Sequence, residues 1–308
     1  MAFYLVTGGA GFIGSNIVHE LVKRGERVRV IDNFSTGKRE NIAGVLDRIE
    51  LLEGDLRNPD DVRAAVSGID YILHQAALPS VPRSIRDPIA SNESNVSGTV
   101  NLLTAAKDAS VKRLVFASSS SVYGDTPTLP KTEDMPPNPR SPYAASKAAG
   151  EYYCRVFFEV YGLETVILRY FNIFGPRQDP ASPYSAVIPL FIAKMSKGEK
   201  PVILGDGTQS RDFTFVENAV RANLLAAAAL DAPGKTFNIA GGRRHSLNDL
   251  VEKLNTILGT ALDPSYTEAR RGDVKHSLAD ISLAKRHLGY EPLVDFEEGI
   301  RKTVAWYA

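Results

Sequence analysis

Short apolar runs alternate with helix-spaced apolar residues through the first half of the chain. The runs predict strands at residues 3–7, 28–32, 49–53, 71–74, 114–118 and 165–170. Between them, apolar residues recur at the spacing of an amphipathic helix, as Ile13, Ile17 and Leu21 do. Strands and helices in this alternation form a parallel sheet covered by helices. We therefore predict an α/β fold with a doubly wound parallel (Rossmann) sheet.

The alternation fades after Asn172, where prolines become frequent. A short strand at 201–204 and helices at 216–230 and 247–258 are predicted beyond that point. The change indicates a smaller, discontinuous C-terminal domain for the substrate. The predicted Rossmann domain covers 1–171, with 212–240 returning to it, and the predicted substrate domain covers 172–211 and 241–308.

Charge and cysteine usage disfavour several classes of protein. Lys plus Arg and Asp plus Glu both number 36 in the 308 residues, so no net field favours nucleic acid or an anionic membrane. A single cysteine, Cys154, rules out an internal disulfide and suits a reducing compartment. No signal peptide or membrane span is apparent, which predicts a cytoplasmic protein. The histidines lack metal-ligand spacing, so no metal site is expected.

Three glycines, Gly8, Gly11 and Gly14, lie between the first strand and the first helix. Glycine there permits a tight turn, close approach of the backbone to a pyrophosphate, and close helix–strand packing. The helix N-terminus offers N–H groups to the phosphates. Asp32 ends the next strand, at the spacing of a carboxylate that binds a ribose 2′-hydroxyl and repels a 2′-phosphate. This pattern favours NAD over NADP; the alternative is a capping Asp in a structural turn.

Tyr143 and Lys147 are four residues apart on one face of a predicted helix. Ser141 and Pro142 form a good start for that helix. A nearby ammonium lowers the pKa of a phenol, which is the adjustment that a general base needs. A surface Tyr–Lys pair is the alternative. The hydroxyls at 118–121 argue against it, because they follow a predicted parallel strand, and ligands of doubly wound sheets lie at such strand ends.

Further motifs follow in order along nearly the whole chain. They are the G-x-x-G-x-x-G loop, Asp55-Leu56, His74-Gln75-Ala76-Ala77, the serine run, Tyr143-x-x-x-Lys147 and Leu168-Arg169-Tyr170-Phe171-Asn172. This set resembles the extended short-chain dehydrogenase/reductase family, and within it the NAD-dependent UDP-sugar 4-epimerases of the UDP-glucose and UDP-N-acetylglucosamine type. The resemblance implies an isomerase with tightly bound NAD and a UDP-sugar substrate, of the kind used in galactose metabolism.

The resemblance also assigns residues to catalysis and to the cofactor. Catalysis falls to Ser119, Tyr143 and Lys147. Asp55 and Leu56 are expected to flank the adenine, and Tyr170 to lie near the nicotinamide. The full predicted cofactor set is Gly8, Gly11, Phe12, Ile13, Gly14, Asp32, Asn33, Ser35, Thr36, Gly37, Asp55, Leu56, Gln75, Ala76, Ala77, Asn95, Tyr143, Lys147 and Tyr170.

For the substrate, the resemblance places Arg211 and Arg270 on the diphosphate and ribose, and Asp273 on the nucleotide ribose. Guanidinium groups suit phosphates because they pair with them through two hydrogen bonds. Surface arginines in salt bridges are the alternative. The full predicted substrate set is Ser80, Arg83, Ser84, Ser119, Ser120, Tyr143, Asn172, Val187, Arg211, Arg270, Asp273 and Ser277.

The residues after Ser119 bear on the type of reaction. Similar dehydratases carry Asp-Glu where this chain has Ser120 and Ser121, and similar decarboxylases carry Glu in place of Ser121. A serine hydroxyl cannot do the acid–base work of a carboxylate near neutral pH. The sequence therefore favours 4-epimerisation through a 4-keto intermediate, with Tyr143 as base. A lyase and a non-catalytic NAD-binding protein are the alternatives.

The residue at position 277 bears on which sugar the protein accepts. In similar 4-epimerases this position borders the sugar's 2-substituent, and a small residue there admits an N-acetyl group. Ser277 therefore predicts UDP-GlcNAc/UDP-GalNAc together with UDP-glucose/UDP-galactose, unless it faces solvent. The segment from Ser80 to Ser84 also resembles the N-acetylhexosamine subgroup. Arg83 could instead meet a sugar carboxylate, which leaves a UDP-uronic acid 4-epimerase as an alternative.

The helix that carries Tyr143 forms a dimer interface in the similar family, by pairing with the helix that precedes the serine strand. This predicts a homodimer through the helices around 92–109 and 143–161. The expected packing stripe on the second helix consists of Ala144, Ala148, Tyr152 and Val156. Packing within one chain is the alternative explanation of the stripe.

Overall fold

The structure, a computed structural model, describes residues 1–181, 186–268 and 275–308 of the chain. The strands are β1 Phe3–Thr7, β2 Arg27–Asp32, β3 Glu50–Glu53, β4 Tyr71–His74, β5 Arg113–Ser119, β6 Glu164–Tyr170, β7 Ile173–Phe174, β8 Val202–Leu204, β9 Ser210–Asp212, β10 Thr214–Phe215, β11 Thr236–Ile239, β12 Arg244–Ser246 and β13 Ser265–Thr267. The α-helices are α1 Phe12–Lys23, α2 Pro59–Val66, α3 Val81–Arg86, α4 Pro88–Asn92, α5 Gly98–Asp108, α6 Pro142–Tyr161, α7 Val187–Met195, α8 Val216–Ala228, α9 Leu247–Leu258, α10 Ser282–Leu288 and α11 Phe296–Tyr307. None of the helices in these residues combines the length and apolar character that a bilayer span requires.

Seven of the described strands form one sheet in the order β11-β6-β5-β4-β1-β2-β3. Every neighbouring pair in it is parallel. The predicted fold class, a doubly wound parallel sheet, is confirmed. The strand order reverses between β1 and β4, and ligands of such sheets bind at the carboxyl ends of the strands beside that reversal. The carboxyl ends of β1, β4 and β5 are therefore the place to look for a site.

Two apolar cores cover the two faces of the sheet. Successive side chains of a strand point to opposite faces, so Leu5 of β1 lies in one core and Val6 in the other. The first core also contains Leu102 of α5 and Phe157 of α6. The second contains Ile17 of α1 and residues of α8, α9 and the C-terminal segment. Helix α6 is thereby fixed against one face of the sheet, beside β5 and β6.

The six strands predicted from the apolar runs all form, with their ends within one residue of the predicted positions. The sequence missed β11, which adds to the sheet beside β6. β11 is only four residues long, too short for its apolar pattern to be recognised. Its pairing agrees with the return of residues 212–240 to the Rossmann domain. The division into two domains stays a prediction.

Candidate active site

The turn between β1 and α1 has room only for glycine at two of the predicted positions. Gly8 has φ +67°, and a Cβ on it would lie 2.7 Å from Cα of Ala76. A Cβ on Gly14 would lie 2.1 Å from the carbonyl oxygen of Gly8. Among the described residues no side chain caps α1, which begins after Gly11. The first N–H groups of the helix therefore suit phosphate oxygens, and the turn fits the pyrophosphate of a dinucleotide.

Asp32 ends β2 beside this turn. Its carboxylate accepts hydrogen bonds of 2.9 Å from the backbone N–H groups of Ala10 and Phe34. Burial raises the pKa of the carboxyl, and these two hydrogen bonds oppose the rise. A Cβ on Gly37 would lie 2.9 Å from both carboxylate oxygens. Asp32 thus makes the turn-capping contacts of the alternative interpretation, while each oxygen keeps a second lone pair with which it can accept from a ribose hydroxyl.

The predicted adenine edge is held by side-chain contacts. Asn33 Nδ2 donates to Asp55 Oδ2 over 2.8 Å, and Arg57 forms a 2.7 Å ion pair with the same carboxylate. The hydrogen bonds from Arg57 keep the pKa of Asp55 well below its usual range. Asn101 Nδ2 donates to the carbonyl of Leu56 over 2.9 Å. Asp55 and Leu56 are therefore fixed in place at the carboxyl end of β3.

Three side chains form a closed hydrogen-bonded triangle at the ends of β4 and β6. Tyr170 donates its hydroxyl to Gln75 Oε1 (3.2 Å), Asn223 Nδ2 donates to the Tyr170 oxygen (2.6 Å), and Gln75 Nε2 donates to Asn223 Oδ1 (3.0 Å). Burial raises the pKa of Tyr170 to about 12. Tyr170 is therefore uncharged; it lines the site and does not act as a base. The sequence predicted Gln75 and Tyr170 but missed Asn223, which lies on α8 outside any recognised motif.

Asn95 joins the loop after β4 to helix α6. It lies in a single π-helical turn, Glu93–Ser97, between α4 and α5. Its Oδ1 accepts from the backbone N–H of Leu78 over 2.7 Å, and its Nδ2 donates to Ser146 Oγ over 3.0 Å. Ser146 in turn donates to the carbonyl of Tyr143 over 2.8 Å. A π turn frequently marks a functional position, and this one connects the predicted cofactor loop to the catalytic helix.

The predicted catalytic residues meet where β5 ends and α6 begins. Ser119 is the last residue of β5, and its Oγ accepts from the backbone N–H of Ser121 over 3.2 Å. The Ser119 hydroxyl also lies close enough to the phenol of Tyr143 to lower the pKa of that phenol. Lys147 is buried one helical turn further along, and its Nζ donates to the carbonyl of Ala117 over 2.7 Å. A hydroxyl, a phenol and an ammonium group are thus brought together at a strand end.

The electrostatics differ from the sequence expectation in one respect. Burial raises the pKa of Tyr143, and the nearby hydroxyl of Ser119 opposes this rise. Burial also lowers the pKa of Lys147 to about 8, against the opposing influence of Cys154 and Glu151. The expected lowering of the phenol pKa is therefore wrong for this structure, because the loss of solvation on burial dominates. The Ser119 hydroxyl is the group that favours the phenolate here.

The predicted substrate residues fall into two groups. Asn172, with φ +40°, lies after β6, and its Nδ2 is 3.2 Å from the carbonyl oxygen of Asp212 and 3.4 Å from Ser277 Oγ. Arg211 donates to the carbonyls of Ser210 and Lys275 over 3.1 Å each. Asn172, Arg211 and Ser277 are thereby linked through β9. Arg270 and Asp273 lie outside the described residues.

The second group lies on α3, after β4. Ser80 caps this helix by accepting from the backbone N–H of Arg83 over 3.2 Å. Ser84 is fully buried and donates to the carbonyl of Val81 over 2.8 Å, so its hydroxyl is already engaged within the helix. Val187 belongs to neither group, because it is the first residue of α7 and packs on the second core. No described contact joins Arg83, Ser84 or Val187 to Tyr143. The described residues hold no group of His, Cys, Asp and Glu that would bind a metal ion.

This geometry can be compared with known proteins. Residues 4–240 match the model of the NAD dependent epimerase/dehydratase family. The chain belongs to this family. Both the predicted relationship and the predicted cofactor, NAD, are confirmed, and the glycine turn described above fits that cofactor.

Several members of the epimerase/dehydratase family are similar over their whole length. A structure of the UDP-N-acetylglucosamine 4-epimerase from Methanobrevibacter ruminantium M1, in complex with UDP-N-acetylmuramic acid, is 44% identical, covers 99% of this chain and 98% of its own, and has a TM-score of 0.95. The Thermotoga maritima UDP-glucose 4-epimerase with UDP-glucose is 38% identical at the same coverage, with a TM-score of 0.94. The UDP-glucose 4-epimerase of Mycolicibacterium smegmatis is 38% identical over 98% of this chain and 97% of its own.

Proposed function

We propose that this member of the epimerase/dehydratase family catalyses the NAD-dependent 4-epimerisation of UDP-hexoses, and is therefore an isomerase. The observation that carries the proposal is the placement of the Ser119 hydroxyl beside the Tyr143 phenol at the end of β5, with Lys147 one turn behind and bonded to the carbonyl of Ala117. This arrangement can remove a proton from an alcohol whose carbon loses a hydride. The similar proteins named above, which are all UDP-sugar 4-epimerases, support the same reaction.

The chain's own groups have separate roles in the reaction. NAD, when bound, supplies a hydride acceptor and, in its reduced form, a hydride donor. Tyr143 takes the proton from the 4-hydroxyl of the sugar, while Ser119 holds the same oxygen through a hydrogen bond. Lys147 donates to the carbonyl of Ala117 and thereby holds α6, which carries Tyr143, against the end of β5. The 4-keto sugar then turns about its diphosphate link, which Arg211 is proposed to hold, and Tyr143 returns the proton.

A lyase reaction is disfavoured by the residues that follow Ser119. Ser120 and Ser121 begin a short 3-10 turn, Ser120–Tyr123, directly after β5. The hydroxyl of Ser121 is buried, and it has no hydrogen-bond partner in the described residues. An elimination or a decarboxylation of the related kind needs a carboxylate at this place, and a serine hydroxyl cannot replace it near neutral pH.

We also propose that the sugar pocket accepts an N-acetyl group at the 2-position. Ser277 is a small residue, and its Oγ lies 3.4 Å from Nδ2 of Asn172, another member of the predicted substrate set. A small side chain beside the sugar leaves space for the acetamido group. UDP-GlcNAc and UDP-GalNAc are then substrates together with UDP-glucose and UDP-galactose, as in galactose metabolism.

A homodimer is proposed from the exposed apolar surface of α6. The predicted stripe is only partly correct, because Ala144 and Ala148 are buried within the chain, where α6 packs against its own sheet. Tyr152 and Val156 remain 54% and 45% exposed. Ile89 of α4 adds a further exposed apolar side chain, at 71%. Surface of this kind is typical of protein–protein contacts. The cytoplasmic location, which rests on the lone cysteine, remains a proposal too.

Product analysis tests the proposed function directly. The purified protein is incubated, without added NAD, with UDP-GlcNAc and with UDP-glucose separately, and the sugars are identified by NMR. We expect UDP-GalNAc and UDP-galactose. Formation of UDP-galactose alone would keep the reaction and contradict the open pocket. No 4-epimer from either substrate, even with added NAD, would contradict the proposal and direct attention to UDP-uronic acids.

A further inference from the structure

A buried ion pair lies behind the catalytic residues and takes no part in the chemistry proposed above. Arg169 of β6 donates from Nη2 to Glu151 Oε2 over 2.7 Å and from Nε to Oε1 over 2.9 Å. The two side chains are only 3% and 7% exposed. Two parallel hydrogen bonds of this kind fix the orientation of both groups. Removing the two charges from water is costly, so such a pair need not add to the stability of the fold. Its role can instead be to hold the side chains around it in one arrangement.

Glu151 lies on the catalytic face of α6. Tyr143, Lys147 and Glu151 follow one another at intervals of four residues, so they share one face of the helix. Ser118 donates its hydroxyl to Glu151 Oε1 over 2.5 Å. Ser118 directly precedes Ser119 in β5. The ion pair therefore contacts the strand that presents the catalytic hydroxyl.

Three consecutive residues of β5 contact the three residues of that helix face. The carbonyl of Ala117 accepts from Lys147, the hydroxyl of Ser118 donates to Glu151, and the hydroxyl of Ser119 lies beside the phenol of Tyr143. The end of β5 thus meets α6 at three successive positions, and the middle one, where Ser118 bonds to Glu151, contains no residue of the predicted catalytic set.

Arg169 holds Glu151 from the neighbouring strand. Ser118 and Arg169 are direct partners in the pairing of β5 with β6. The guanidinium lies 4.6 Å from the ring centre of Tyr123 and donates to the carbonyl of Glu133 over 3.3 Å. Arg169 is therefore held on several sides, and Glu151 is fixed against a rigid part of the sheet.

We infer that Ser118, Glu151 and Arg169 are positioning residues, which set the separation between the Ser119 hydroxyl and the Tyr143 phenol. The inference rests on the proposed function, since it assigns a role within the same site. The physical reason is that a reaction of this type depends on catalytic groups held within a fraction of an ångström, so the residues that support them control its rate.

The test compares Ser118→Ala with a matched control, Thr165→Val. Thr165 of β6 is also buried, and its hydroxyl donates to the carbonyl of Cys154 in α6 over 2.7 Å. Each variant therefore removes one hydroxyl contact between α6 and the sheet, but only Ser118 adjoins Ser119. We expect Ser118→Ala to lower kcat for UDP-glucose by about ten-fold with little change in KM. Thr165→Val is expected to lose a similar amount of thermal stability while keeping its kcat.

A second measurement needs no substrate turnover. The ionisation of Tyr143 is followed by tyrosinate absorbance, as the difference between each protein and the same protein with Tyr143→Phe. The Ser119 hydroxyl lowers the pKa of Tyr143, so its displacement in Ser118→Ala should move the ionisation to higher pH. Thr165→Val should leave it unchanged.

The two measurements separate the inference from the proposed function. If the wild-type protein epimerises no UDP-sugar, the proposed function fails, yet the titration still reports on the position of Tyr143. Equal kcat values for Ser118→Ala and Thr165→Val, with the Tyr143 titration unchanged in both, would overturn the positioning role.

Discussion

A hydrogen bond between His74 and Thr99, beneath the predicted cofactor loops, determines which ring nitrogen of His74 carries the proton. Nε2 of His74 lies 2.9 Å from Oγ1 of Thr99, and Thr99 donates its own proton to the carbonyl of Asn95 over 2.7 Å. Thr99 must therefore accept from Nε2–H. On the other side of the ring, Nδ1 lies 2.7 Å from Oγ1 of Thr7. The imidazole is neutral, with its proton on Nε2, and it joins β1, β4 and α5 below the site.

This arrangement predicts that His74 stays neutral in acid. Burial lowers its pKa from 6.5 to about 3. As the pH falls below 6.5, His74 binds a proton in the unfolded chain but not in the native chain. The free energy of unfolding should therefore fall by about 1.4 kcal/mol for each pH unit because of this residue. We expect the stability of wild type relative to His74→Gln to fall between pH 6.5 and pH 4, measured by urea denaturation. An imidazole that titrates near pH 6.5 in NMR spectra would contradict the assignment.

The glycine turn makes a prediction about cofactor retention. A Cβ on Gly14 would lie 2.1 Å from the carbonyl oxygen of Gly8, whereas the nearest atom to a Cβ on Gly44 is 3.9 Å away. Gly14→Ala should therefore distort the turn and lose most of the bound NAD, measured as nucleotide released on denaturing the purified protein. Gly44→Ala is the control and should keep its NAD. Equal NAD content in the two variants would argue against a dinucleotide at this turn.

The first half of the fold could be predicted because buried parallel strands read as continuous apolar runs. The pairing of Tyr143 with Lys147 was also readable, since their spacing alone places them on one helix face. No comparable spacing or pattern identified Asn223, Thr99 or Arg169 as residues of the site. Their roles depend on contacts with residues far away in the sequence, such as Tyr170, His74 and Glu151. The pKa of Tyr143 was predicted in the wrong direction because burial cannot be read from helix spacing.

Removal of the Tyr143 hydroxyl should abolish most of the epimerase activity without unfolding the protein. In Tyr143→Phe the proton acceptor is lost, and we expect kcat to fall by about 10²–10⁴-fold. Tyr153, on the same helix but 41% exposed, provides the control variant Tyr153→Phe, which should retain full activity. Epimerisation of UDP-glucose is measured with both, together with NAD content. Wild-type turnover in Tyr143→Phe would rule out the assigned base.

The exposed apolar surface of α6 predicts a concentration-dependent dimer. Val156 is 45% exposed on this surface, so Val156→Arg should place a charge in the interface and yield monomers in sedimentation velocity experiments. Leu230, which is 91% exposed after α8, provides the control Leu230→Arg, which should sediment as wild type does. If wild type and Val156→Arg are both monomers over the same concentrations, α6 is not a self-association surface.

The size of the side chain at position 277 should decide whether an N-acetylated sugar is accepted. Ser277 Oγ lies 3.4 Å from Asn172 Nδ2, so a tyrosine there would project into the space proposed for the 2-acetamido group. We expect Ser277→Tyr to lower kcat/KM for UDP-GlcNAc by at least about ten-fold, because a steric clash raises the energy of the bound sugar. Activity on UDP-glucose should change little, and Ser277→Ala should keep both activities. A parallel loss of both activities in Ser277→Tyr would show that position 277 acts on the whole pocket and does not select the 2-substituent.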